Sequence, residues 1–106
     1  MILRKMLAAE YSLNARVSSG QRLETDTVDS AEYTLDFGGE IILTKTLNNG
    51  LEIRHSDALG DGFIFVNISN NELILSGKIR QRLTITKCDG STFPVALRPE
   101  YIQVED

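Results

Sequence analysis

Few residues of this chain are of types that do chemistry. Nucleophilic catalysis needs a nucleophile and a base held face to face, and the chain has one histidine, His55, and one cysteine, Cys88. His55, Ser56 and Asp57 are the residue types of a hydrolytic triad, but consecutive residues on a strand or turn diverge and cannot line up for proton transfer. They read as a polar loop ahead of Gly60. Cys88 lies between Lys87 and Asp89. A neighbouring ammonium lowers a thiol pKa, yet the half-exposed, inert thiol is the better reading. Glu24, Asp26, Asp29, Glu32, Asp36 and Glu40 offer the oxygen ligands that hard cations prefer, but their spacing matches no ion-binding loop. They read as a solvated strand face, and Asp57 and Asp61 are read the same way. The chain is therefore expected to be non-enzymatic, with no catalytic, cofactor or metal residues. Its sharpest feature is Lys78, Arg80 and Arg82, three like charges at spacing two and so on one face of one strand. Such a stripe repels itself unless answered, either by acids on a neighbouring strand or by an acidic partner. These three residues are the expected partner contacts, and the acidic segment of a second copy is one candidate to meet them.

The elements that must position these residues are strands. Ala31, Tyr33, Leu35 and Phe37 alternate with Ser30, Glu32, Thr34 and Asp36, the period of a strand with one wet face. Gly38-Gly39 breaks it and Glu40 to Leu47 resumes. Asn49-Gly50 signals a hairpin, because a type I′ turn needs positive φ at both centres. Gly60-Asp61-Gly62 signals another, and Phe63 to Ile68 reads as a central strand covered on both faces. Asn70 to Leu73 suggests a turn or a single helical turn within 69–76. Ile79, Leu83 and Ile85 define the inward set of the next strand, with Gln81 its only polar member. Asp89-Gly90 turns the chain into two short strands, Thr92 to Leu97 and Tyr101 to Val104. Pro94 and Pro99, unable to donate to a ladder, belong at an edge or a strand start. Near the start, Tyr11 to Val17 alternates like a strand up to Ser18-Ser19-Gly20, and Met1 to Glu10 is left as an irregular or helical arm. The expected fold is an all-β, antiparallel, immunoglobulin-like β-sandwich of about seven short strands, as one domain over 1–106.

At 106 residues, 42% hydrophobic and 25% charged, the composition is that of a globular domain. A formal net charge of −4 speaks against binding nucleic acid or anionic membrane through overall charge. No aromatic is interleaved in sequence with the basic stripe to stack on bases, so neither nucleic acid nor membrane is an expected partner. A lone cysteine points to a reducing compartment. The apolar run Met6 to Ala9 ends after four residues, short of an export signal.

The stretch Tyr33 to Val104 resembles the small β-sandwich modules of tailed bacteriophages, notably the N-terminal domain of baseplate upper proteins and related immunoglobulin-like tail components. The resemblance is carried by YTLDFGGEIILTKTLNNGLEI, DGFIFVNISNNE, LSGKIRQRLTITKCDGSTFPV and YIQV. It departs at Ile79, where the family has Tyr, and at Pro99-Glu100, where the family has a glycine. It implies a structural part of a phage or prophage particle in the tail, neck or baseplate, made in the bacterial cytoplasm and then built into the virion. Partners would be other virion proteins or copies of itself as a homo-oligomer. The alternative is a carbohydrate or host-surface binding module. With no Trp, and with Tyr33, Phe37, Phe63 and Phe65 expected to be buried, that alternative would rest on Tyr11, Tyr101 and Phe93.

Overall fold

Alternation of apolar and polar side chains becomes burial wherever the sequence shows it. In the computed structural model, which describes residues 1–16, 27–55 and 62–106, β8 (Gly77–Lys87) is the longest strand. Its inward residues Ile79, Gln81, Leu83 and Ile85 are at most 4% exposed. β4 (Val28–Phe37) lies antiparallel beside it, with Tyr33 and Leu35 fully buried. Around this pair stand β5 (Glu40–Leu47), β6 (Gly50–His55), β7 (Gly62–Ile68), β9 (Thr92–Leu97) and β10 (Tyr101–Glu105), each, like β4 and β8, expected as a strand. Three more, β1 (Ile2–Arg4), β2 (Ala9–Ser12) and β3 (Ala15–Arg16), come from the N-terminal segment. That segment, expected as an irregular or helical arm up to Glu10 and as one strand from Tyr11 to Val17, is three short strands, of which β2 and β3 share out the second stretch.

The strand order explains why. β5 and β8 flank β4, β7 pairs antiparallel with β6, and β2 pairs antiparallel with β7. The other edge of β8 is shared, by β10 along Gly77 to Arg80 and by β9 along Leu83 to Thr86, and β1 adds to β10 in parallel. β3 pairs with β9. β2 and β3 are thus successive stretches of one segment that joins β7 to β9, tied down between them by Leu13 N–H to Ile64 O at 2.8 Å and Arg98 N–H to Asn14 O at 3.2 Å. The all-β expectation holds, but the sheet is mixed and curls into a nearly closed barrel. It is not clearly an antiparallel immunoglobulin-like sandwich, because the N-terminal segment bridges the opening that would separate two layers.

Two local expectations are corrected, the hairpin at Asn49-Gly50 and the second covered face of β7, and the turn alternative at 69–76 is met. At Asn49-Gly50 the positive φ values fall on Asn48 (65°) and Gly50 (99°), so the loop displaces the chain sideways without reversing it. β6 leaves it parallel to β5, paired at Thr46 with Gly50 and at Leu47 with Leu51. The φ of 99° at position 50 is one that side chains rarely adopt, and a Cβ there would also meet the Lys45 side chain, which explains glycine there. At 69–76 there is a turn and no helix: Glu72 N–H reaches Ser69 O at 3.2 Å, but Asn71 takes φ 69° and stops a helical path. The strand β7 has neighbours on both edges, as expected, but only one covered face. Ile64, Val66 and Ile68 are buried while Phe63 is exposed.

Inside the barrel the buried apolar residues form one cluster, crossed by a polar chain. Tyr33 Oη donates to Gln81 Oε1 at 2.6 Å and Gln81 Nε2 donates to Pro99 O at 2.5 Å. With its one proton committed, Tyr33 accepts from Tyr11 Oη at 2.8 Å. Burial pushes the Tyr11 phenol up to about 12 and that of Tyr33 higher still. All of these buried groups are satisfied, the condition under which a polar network fixes a unique core.

Candidate docking face

The outward residues of four neighbouring strands, β5, β4, β8 and β10, form the face that carries the basic stripe. Register places Ile41, Asp36, Arg80 and Tyr101 side by side across it. Thr44, Thr34 and Arg82 form the next row. Lys78, Gln103 and Ile2 lie on the other side. The structure therefore puts Lys78, Arg80 and Arg82 on one outer face, as expected from their spacing.

Each of the three is met within the chain. Arg82 Nε stands 3.2 Å from Asp36 Oδ2, whose side chain is only 11% exposed. Arg80 Nε stands 2.7 Å from Glu100 Oε1. That contact is an ion pair by distance without hydrogen-bond alignment, so the buried Nε–H has no acceptor among the described residues. Lys78 Nζ sits 4.5 Å from the centroid of the Tyr101 ring. Two of three charges are thus cancelled by carboxylates, and the face carries little net charge. The guanidinium groups are open to solvent, so each pair adds no more than about 1 kcal/mol. Beside them lies a groove of about 430 Å³ whose lining includes Arg80, Arg82, Glu100, Pro94 and Val95.

What neutralisation removes in charge, the neighbours restore in contact area. Tyr101, Ile2 and Ile41 are exposed on the same face, and Phe37 is exposed at the end of β4 with its ring against Gly77. In sequence no aromatic lies among the basic residues; in space Tyr101 lies between Lys78 and Arg80, delivered by pairing of β10 with β8. Alternation along β10 turns Tyr101 outward, but the sequence carries no signal that β10 lies against β8. Of the other expected platforms, Tyr11 is half-buried in the polar chain and Phe93 packs partly on the core. Phe37 and Phe63, expected inside, are exposed.

The remaining candidates are not drawn together. Ser56, Asp57, Asp61, Glu24 and Asp26 lie outside the described residues, as does the side chain of His55. Cys88 is exposed at the turn after β8, its N–H bonded to Thr27 O. Asp29 and Glu32 border a threonine-lined groove with Thr46, Thr84, Thr86 and Thr92. No group of three or more His, Cys, Asp or Glu side chains among the described residues is placed to hold a metal ion, and no helix among them is long and apolar enough to cross a membrane. No protein-family model matches the chain, and neither a curated protein nor a solved structure does.

Proposed function

We propose that this chain is a non-enzymatic assembly module that works by docking to other proteins through the outer face of β5, β4, β8 and β10. The observation that carries the reading is the make-up of that face: Tyr101, Arg80 and Arg82 at its middle, Ile2 and Ile41 at its sides. Tyrosine and arginine are the residues on which interface energy concentrates, and a rigid sheet presents them without an ordering cost. Lys78, Arg80 and Arg82 remain the proposed contacts, now with Tyr101 among them. The sequence resemblance to tail and baseplate modules makes a phage or prophage virion the proposed assembly, with synthesis in the bacterial cytoplasm. In that reading β4 to β10 correspond to the seven strands of an immunoglobulin-like sandwich and β1 to β3 close it further.

Incorporation tests the reading. A tagged chain supplied during phage production should copurify with particles, and Lys78→Glu with Tyr101→Ser should leave it soluble and folded but outside them. A chain that never enters particles contradicts the virion assignment. The exposed Tyr101 ring also favours a second reading, binding of a carbohydrate by stacking on that ring. A glycan array that retains the wild-type chain but not Tyr101→Ser would support it.

A further inference from the structure

Among the described residues, no strand lies beside the outer edge of β5 from Glu40 to Lys45. β5 pairs with β4 along Glu40 to Thr46, but with β6 only at Thr46 and Leu47. Among the described residues no backbone group bonds the open side from Glu40 to Lys45. Unpaired edges are templates for another strand. This one is apolar, with Ile41 exposed and Ile42 and Leu43 half-buried. Glu72 holds Lys45, and Phe37 packs on Gly77. The intervening segment, with exposed Ile74 and Leu75, is thus anchored at the Lys45 end of β5 and beside Phe37, the partner of Glu40 at its other end.

The orientation of the free groups follows from the ladder. Gln81 N–H donates to Glu100 O and Lys87 N–H to Ser91 O, so odd-numbered residues of β8 turn toward β9 and β10 and even-numbered ones toward β4. Through the pairs Arg82 with Thr34 and Arg80 with Asp36, it is Tyr33, Leu35 and Phe37 that face β5. Their partners Lys45, Leu43 and Glu40 bond back to β4, which leaves Ile41 and Thr44 turned to the open side. In a regular strand residues three apart face opposite ways. The register shift at Leu35 and Asp36, which leaves Ile42 as an extra residue, brings Ile41 and Thr44 into phase.

We propose that this edge pairs with itself: two copies of the chain join antiparallel along β5, Ile41 opposite Thr44 of the second copy. A two-fold axis between Ile42 and Leu43 satisfies both free residues of both copies. The same axis sets Ile42 opposite Leu43, so the apolar middle of the edge meets itself. A bulge more often protects an edge; here it supplies the phase that pairing needs. A stable contact requires roughly 1,000 Å², so side chains beyond the strand must join it, and Phe37, Ile74 and Leu75 are exposed apolar residues of the segments anchored at the two ends of β5. The docking faces of the two copies would then form one continuous sheet surface. The pairing does not depend on the virion reading, since it rests on the edge alone.

Sedimentation of the purified full chain should give twice the 11.8 kDa chain mass at tens of micromolar. Thr44→Pro removes an outward N–H that β4 does not use and should return the monomer, while Thr44→Val keeps the dimer. With Cys88→Ser as background, Ile41→Cys with Thr44→Cys should oxidise to a disulfide-linked dimer. This readout stands even if the proline variant fails to fold. A monomeric wild type, a dimer indifferent to proline at 44, or no cross-link between positions 41 and 44 would overturn the proposal.

Discussion

Tyr33 shows what one hydroxyl does in this fold. Its Oη donates to Gln81, and Gln81 is the one polar residue on the inward face of β8. Tyr33→Phe leaves a buried acceptor without its donor and should cost about 1–3 kcal/mol in urea unfolding, whereas Tyr11→Phe, with Tyr33 still bonded to Gln81, should cost about 0.5–1.5 kcal/mol. Lys45 and Glu72 form a part-buried polar contact, with Nζ 2.8 Å from both carboxylate oxygens. The Lys45 ammonium holds the Glu72 carboxyl below its ordinary value of 4.5. A lowered carboxylate pKa gives stability that is complete above the unfolded value and lost as pH falls through the folded one. Unfolding measured between pH 6 and 3 should thus show a loss below about 4.5 that is smaller in Lys45→Met. The alternation on β8 revealed the inward Gln81 and the outward stripe, but not their partners. Asp36, which answers Arg82, lies on β4 and Glu100, which answers Arg80, on the bend between β9 and β10, and contact between distant segments leaves no mark in local periodicity.

Elements were readable in proportion to the residues they bury on alternating positions. β4 and β8 were legible because each sustains the period over most of its length, and β5, β7, β9 and β10 because turn residues bound them. β1 was not, and β2 and β3 showed only as the single alternation Tyr11 to Val17, since each is short and is held by partners far along the chain: β1 by β10, β2 by β7 and β3 by β9. The loop at Asn48 to Gly50 misled for a different reason. Asparagine and glycine supply positive φ wherever it falls, and here it falls on alternate residues. Because β1 covers β10, Leu3, nearly buried, is part of the core. Leu3→Ala should cost about 2–4 kcal/mol in urea unfolding. Hydrogen exchange should find β4 and β8 slowest and β1 fastest, since β1 is an edge strand of only three residues.

At the scale of the whole molecule, the N-terminal segment turns an open sheet into a nearly closed barrel and leaves one broad outer face for contact. The sequence disclosed the all-β class and the stripe on that face; it could not disclose that Tyr101, Ile2 and Ile41 would join the stripe, because that follows from strand order. Charge reversal must respect the ion pairs within the face. Arg82→Glu sets a second carboxylate against the nearly buried Asp36 and should destabilise the fold by about 1 kcal/mol or more. Lys78→Glu, on an exposed residue, should stay within about 0.5 kcal/mol of wild type. Lys78 is therefore the residue to alter when docking is to be separated from stability, with thermal unfolding as the check. The docking claim itself is tested most directly by a photo-cross-linking amino acid placed at position 101, with the same group at Ser91 on the β8–β9 turn as control, in cells that assemble the particle. The account predicts a discrete protein adduct from position 101 and none from position 91. Adducts from 91 alone, or from neither position, would contradict it.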